Sequence, residues 1–168
     1  MELGILLLVV LQNIGVSLGV GSSTLAITNF FVAIADGTID ENERRMMGVV
    51  YVVLRIAMIV ILITTLVLTL MHYSGAVSFL TALWTLIAVL YINAILMTYH
   101  IMPSTIGPAL QASTWYTMGV TMTLFGLGVA GYQVLHFYLA YGAVILLAIS
   151  LVNGLMSYLK HKRENTQA

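Results

Sequence analysis

Between Met46 and Met71 the chain carries one charge, Arg55, in a run that is otherwise uncharged and largely apolar. A helix needs about 20 apolar residues to cross about 30 Å of hydrocarbon, so this run is long enough to span a bilayer. The stretch from Leu3 to Ala35 holds no charged residue at all. Further apolar runs follow over 77–101, 110–130 and 135–159. These runs leave few choices. A soluble domain carries roughly 25% charged residues, whereas this chain has 7% charged and 61% hydrophobic residues and a mean hydropathy of +1.05. Its surface must face lipid. Barrel strands alternate apolar and polar residues, while these runs are apolar on every side, which leaves an all-α transmembrane bundle. With 168 residues there is room for one such bundle.

The boundaries follow from breakers and caps. Leu3 to Ala35 would be about 50 Å long as one helix, so tilt, a kink or protrusion is expected. Gly15, Gly19, Gly21 and Ser22-Ser23-Thr24 mark the place for a bend. Asp36-Gly37 stops this helix, and Asp40 with Glu43 three residues on forms a capping-box start for the next. His72-Tyr73-Ser74-Gly75, the stretch from Pro103 to Pro108, and Gly131-Tyr132-Gln133 are the remaining turns. The reading is one domain, 1–159, with five spans at about 3–35, 46–71, 77–101, 110–130 and 135–159, and a charged, frayed tail over 160–168.

Orientation comes from Lys and Arg. Arg44 and Arg45 lie between spans one and two, and Lys160, Lys162 and Arg163 follow span five. Five spans put both groups on the same side, which predicts the N-terminus outside and the C-terminus in the cytoplasm of a plasma membrane, bacterial by its resemblance below. Glu2 stands where a signal peptide would carry a basic residue, so Leu3 onward reads as a retained span. A formal net charge of zero excludes a nucleic-acid footprint. The absence of cysteine removes disulfides, thiolate nucleophiles and Cys-ligated metals.

An intramembrane charge is costly and marks a candidate site. At the cytoplasmic depth of Arg55 the five-span reading places Thr28 and Asn29 of span one, with Asn93, Tyr99 and His100 of span three. Span four adds Trp115 and Tyr116, and span five Asn153 and Tyr158. Facing inward, they would surround the guanidinium with amides and aromatic faces, a pocket for an anionic or carbonyl-bearing ligand. The plainer alternative is that Arg55 snorkels to the headgroups. No acid lies in any span, and Asp36 is the nearest candidate partner. Asn13, Ser17, Thr24 and Thr28 recur at near-helical spacing, a stripe that reads either as helix packing or as a polar path. Gly15 and Gly19 form a G-x-x-x-G pair on a neighbouring face, a candidate contact between copies. His72 and His136 both fall near the outer interface and would ligate a b-type haem if their helices touch. Asp36 to Glu43 mimics the back half of an EF-hand loop, but Val32 and Ile34 occupy the first ligand positions and cannot bind calcium. No zinc spacing, nucleophile–base pair or carboxylate dyad appears, so no metal or catalytic residue is assigned.

Leu18-Gly19-Val20-Gly21-Ser22-Ser23-Thr24, then Asp36-Gly37-Thr38-Ile39-Asp40 and Glu43, together with Asn93, Met102-Pro103 and Ser113-Thr114-Trp115-Tyr116, resemble a small family of uncharacterised bacterial membrane proteins. The resemblance implies a five-span bundle. Some of those relatives adjoin cytochrome b5-like domains, which implies a redox membrane. The leading functional expectation is a non-enzymatic accessory or small-ligand-binding membrane module with its polar patch at Arg55. The alternatives are a haem b electron carrier using His72 and His136, and a small-solute transporter acting as an oligomer.

Overall fold

The computed structural model describes residues 2–36, 40–71, 77–103, 106–129 and 133–167. They form five α-helices: α1 (Glu2–Asp36), α2 (Glu41–Leu70), α3 (Val77–Thr98), α4 (Ile106–Gly126) and α5 (Val134–Gln167). Among the described residues, four helices are long and apolar enough to cross a membrane, and α4 is not one of them. The turns expected at His72–Gly75 and Gly131–Gln133 fall mainly outside the described residues.

Local chemistry accounts for most boundaries. α2 begins with a complete capping box. The Glu43 amide donates to Asp40 Oδ1 at 2.6 Å, and the Asp40 amide donates to Glu43 Oε2 at 3.0 Å. Two orphan N–H groups are thereby satisfied reciprocally. α4 starts four residues before the expected position, because Pro108 sits inside its first turn. The N–H groups there have no intrahelical acceptor, so a proline costs little. α5 continues as helix through the segment expected to fray, since Lys, Arg, Glu and Gln are good helix formers. α1 is one uninterrupted helix of 35 residues. Its central glycines serve packing rather than interruption.

Helices α3 and α4 end alike. At α3, the His100 amide donates to the Met97 carbonyl at 3.1 Å and the Ile101 amide to the Leu96 carbonyl at 3.0 Å. At α4, the Gly128 amide donates to the Phe125 carbonyl and the Val129 amide to the Leu124 carbonyl, both at 2.9 Å. Both are Schellman caps, whose pivot residue must adopt the left-handed conformation. Gly128 does so at φ 79°, as glycine readily can. His100 does so at φ 55° and bears the Cβ penalty.

Successive helices run in opposite directions. One end of the bundle gathers the start of α1, the end of α2, the start of α3 and the end of α4, and is called here the N-terminal end. The other is the C-terminal end. α1 packs against α2, α4 and α5, and α4 packs against α1, α3 and α5. The core between them contains Ile61, Leu86, Leu90, Trp115 and Met118, all fully buried. Glycine sets the close approaches. A Cβ on Gly15 would meet Val60 and Ile61 of α2 at 3.0 Å, and one on Gly19 would overlap the Trp115 ring of α4. Gly15 and Gly19, the pair expected to join two copies, thus make close contacts within the protomer. The buried face of α1 is Gln12, Gly15, Val16, Gly19, Ser22 and Ser23. The stripe of Asn13, Ser17, Thr24 and Thr28 lies on the exposed side. Asn13, Thr24 and Thr28 donate to the carbonyls of Val9, Val20 and Thr24, one turn back. A side chain satisfied in this way tolerates an apolar surrounding.

Candidate functional site

A cavity lies at the N-terminal end, between α1, α2, α3 and α4, with a volume of about 320 Å³. That is within the usual range of small-molecule pockets, about 300–1,000 Å³. Each helix contributes wall: Gln12 and Asn13 from α1, Thr65 and Thr69 from α2, Phe79 and Leu83 from α3, Met122 and Phe125 from α4. Phe79 and Phe125 stack with centroids 3.9 Å apart and planes 13° apart, which gives the cavity a flat aromatic side. Opposite in character is an amide–hydroxyl pair: Gln12 Nε2 donates to Thr65 Oγ1 at 2.8 Å. Thr69 Oγ1 donates to the Thr65 carbonyl and accepts from Trp84 Nε1. The Gln12 amide oxygen makes no hydrogen bond among the described residues. No lining residue is charged. The arrangement suits a small neutral molecule with an apolar body and one hydrogen-bond donor.

Gln12, Thr65 and Thr69 are not singled out by spacing in the sequence. Their signal is plainer: Gln12 is a polar amide in the middle of an apolar run, and buried amides are hydrogen-bonded or ligand-facing.

A second, smaller cavity of about 40 Å³ lies between the same four helices at the C-terminal end, walled in part by Ser23, Tyr51, Met97 and Gln111. Ser23 Oγ is buried there with no partner. The space exceeds the ~10–15 Å³ that one water occupies on this measure. The layer of Trp115, Ile61, Leu86 and Met118 separates the two cavities.

Of the residues expected around Arg55, Tyr99 shares its groove, while Asn29, Asn93, His100, Trp115, Tyr116 and Asn153 do not line it. Arg55 is exposed on the outer side of α2 and lines a groove with Tyr91 and Tyr99. Asn93 points the other way from this groove, into the core. It is buried, and its Nδ2 donates to the Gly107 carbonyl at 2.9 Å and to Met97 Sδ at 3.6 Å. Its Oδ1 is buried without a partner. Trp115 is wholly buried against Gly19, and its Nε1 also lacks a partner. Asn29 is half-buried with an unpartnered Nδ2. Tyr116 is exposed and shares a 2.6 Å hydrogen bond with Thr24 Oγ1, which ties α4 to α1. Asn153 is exposed on α5, and His100 is exposed in the α3 cap. The physical reason is that depth fixes only height along a helix. Rotation about the axis decides the face, and core packing of Leu54, Ala57 and Met58 turns Arg55 outward. The side chain of Asp36, its expected partner, lies outside the described residues.

Of the two histidines expected to hold haem, His72 lies outside the described residues, and His136 is exposed on an apolar groove between α4 and α5. Among the described residues no group of three or more His, Asp or Glu side chains converges. No family model, curated protein or solved structure matches the chain.

Proposed function

We propose that the protein is a non-enzymatic small-ligand-binding membrane module, and that its ligand sits in the N-terminal-end cavity rather than at Arg55. The single observation that carries this reading is the uncharged 320 Å³ cavity between four helices, with an aromatic side and an unbonded Gln12 amide oxygen. The ligand class is a small neutral molecule, aromatic or otherwise flat, that donates one hydrogen bond. Its apolar body would displace lipid or weakly held water, and its donor would meet Gln12.

In the same reading all five helices cross a bacterial plasma membrane, with the N-terminus outside. Every Lys and Arg of the chain belongs to the C-terminal end of the bundle, at positions 44, 45, 55, 160, 162 and 163, which supports a cytoplasmic C-terminal end. α4 falls short of span-like hydropathy because its neighbours shield it, not because it is too short.

The test is a matched pair of probes, 4-fluorophenol and fluorobenzene, followed by ¹⁹F NMR against purified protein in neutral detergent. 4-Fluorophenol should bind saturably to the wild type. Gln12→Met, which keeps volume and removes the acceptor, should weaken it by about tenfold, the value of one buried hydrogen bond. Fluorobenzene should bind the two proteins equally. No saturable binding of either probe, or equal phenol binding by Gln12→Met, would sink the proposal.

A further inference from the structure

Arg55 is a charged residue that the packing leaves exposed on the outer side of the bundle, within a groove. Its neighbours there are Met58 and Ile59 of α2, Tyr91, Ala94 and Ile95 of α3, and Thr98 and Tyr99 at the α3 end. The groove has a volume of about 420 Å³. Tyr91 and Thr98 are already committed, donating to the carbonyls of Met58 and Ala94. The side chains of Arg55 and Tyr99 make no hydrogen bond or ion pair among the described residues. A guanidinium against an apolar wall with no counter-charge is unfavourable unless an anion joins it.

Height identifies the source of that anion. Arg55 lies fourteen residues into α2 by numbering, about 21 Å along the axis. Yet it shares its groove with Thr98 and Tyr99, the last turn and cap of α3. α2 therefore projects beyond α3, and Arg55 sits level with the end of the shorter helix. A long side chain there can snorkel toward the headgroups, at the end of the bundle that holds every other Lys and Arg. The side chain has a lipid phosphate within its reach and an apolar slot running away from it along Met58, Ile59 and Ile95.

We propose that this groove holds one anionic phospholipid, with its phosphate on the Arg55 guanidinium and the Tyr99 hydroxyl and an acyl chain in the slot between α2 and α3. The planar fork of Arg matches phosphate geometry, and Tyr99 adds a neutral donor. A zwitterionic lipid carries its own ammonium, which competes with Arg55 for the phosphate, so the site discriminates by net charge. The site is independent of the N-terminal-end cavity and would stand if that cavity bound nothing.

Native mass spectrometry and thermal unfolding in neutral detergent test it, with phosphatidylglycerol, phosphatidylcholine and inorganic phosphate as separate additions. The wild type should retain one phosphatidylglycerol and unfold at a higher temperature with it, and should not respond to the other two. Arg55→Gln should lose on the order of tenfold in retained lipid together with the thermal increment, as expected for a charge-assisted contact. Arg55→Lys should fall between. Arg45→Gln, at the same end but outside the groove, should behave as wild type. An equal phosphatidylglycerol response in Arg55→Gln and wild type, or none in wild type, overturns the site. A matching response to inorganic phosphate that Arg55→Gln abolishes overturns the lipid as occupant.

Discussion

α4 and α5 lie side by side and are opposites. α4 carries Gln111, Ser113, Thr114 and Thr121 among its buried residues and packs against three other helices. α5 is apolar enough to span a membrane, yet among its described residues only Tyr141 and Val152 are buried. Leu139, Leu146, Leu147 and Leu151 are all exposed. The less apolar helix is the enclosed one. Inside a bilayer the surrounding lipid is as apolar as leucine, so leucine gains little by facing protein, and small or hydroxylated residues win the interior because they permit close approach. In α4 the hydroxyls of Ser113, Thr114, Thr117, Thr121 and Thr123 all bond to carbonyls three or four residues back. Hydropathy thus reads what a helix faces, leucines on the outside of α5 and close-packed hydroxyls in α4.

The contrast is open to direct attack. The largest effect should come from truncating the centre of each helix. Trp115→Ala should cost about 3–5 kcal/mol, through the cavity it leaves against Gly19. Leu146→Ala on the exposed side of α5 should stay within about 0.5 kcal/mol. Urea unfolding in mixed micelles measures both, and comparable losses would erase the distinction between the two helices.

A smaller effect concerns how helices stop. Gly128→Ala at the α4 cap should destabilise by about 1 kcal/mol, because alanine resists φ 79°. His100→Gly at the α3 cap should stabilise by about 0.5–1 kcal/mol, since glycine relieves the same strain. Melting temperatures of the two variants should move in opposite directions. A shared direction would mean that the His100 side chain has a role that outweighs its backbone.

The smallest effect is the bond that joins the two helices. Thr114 Oγ1 and Tyr141 Oη lie 2.7 Å apart, buried. A double-mutant cycle of Thr114→Val and Tyr141→Phe should return a coupling of about 0.6 kcal/mol, typical of hydrogen bonds between membrane helices. A coupling near zero would leave α5 held on α4 by apolar contact alone.

The sequence makes the helical bundle legible because its uncharged runs admit no other fold, and it makes the α2 start legible because Asp40 and Glu43 are a local device. It also marks Arg55 as exceptional. It fails on faces. The spacing of Asn13, Ser17, Thr24 and Thr28 describes a stripe but not which way the stripe points, since Asn13, Thr24 and Thr28 satisfy themselves on their own helix. Asn93 and Arg55 lie toward the same end but on different sides, and Trp115 sits a layer deeper. Gln12 and Thr65 come from helices whose pairing no local signal announces.

What the sequence alone determined is therefore the solvent and the secondary structure. Only apolar side chains tolerate lipid, and only a helix satisfies its own backbone there. What only the tertiary structure decided is rotation and neighbour. Gly19 gives way to Trp115, Gly15 to Ile61, and these steric fits turn Gln12 inward to a cavity and Arg55 outward to a groove. Shape complementarity between helices settles those angles, because hydropathy in a bilayer does not distinguish a face that meets lipid from one that meets leucine.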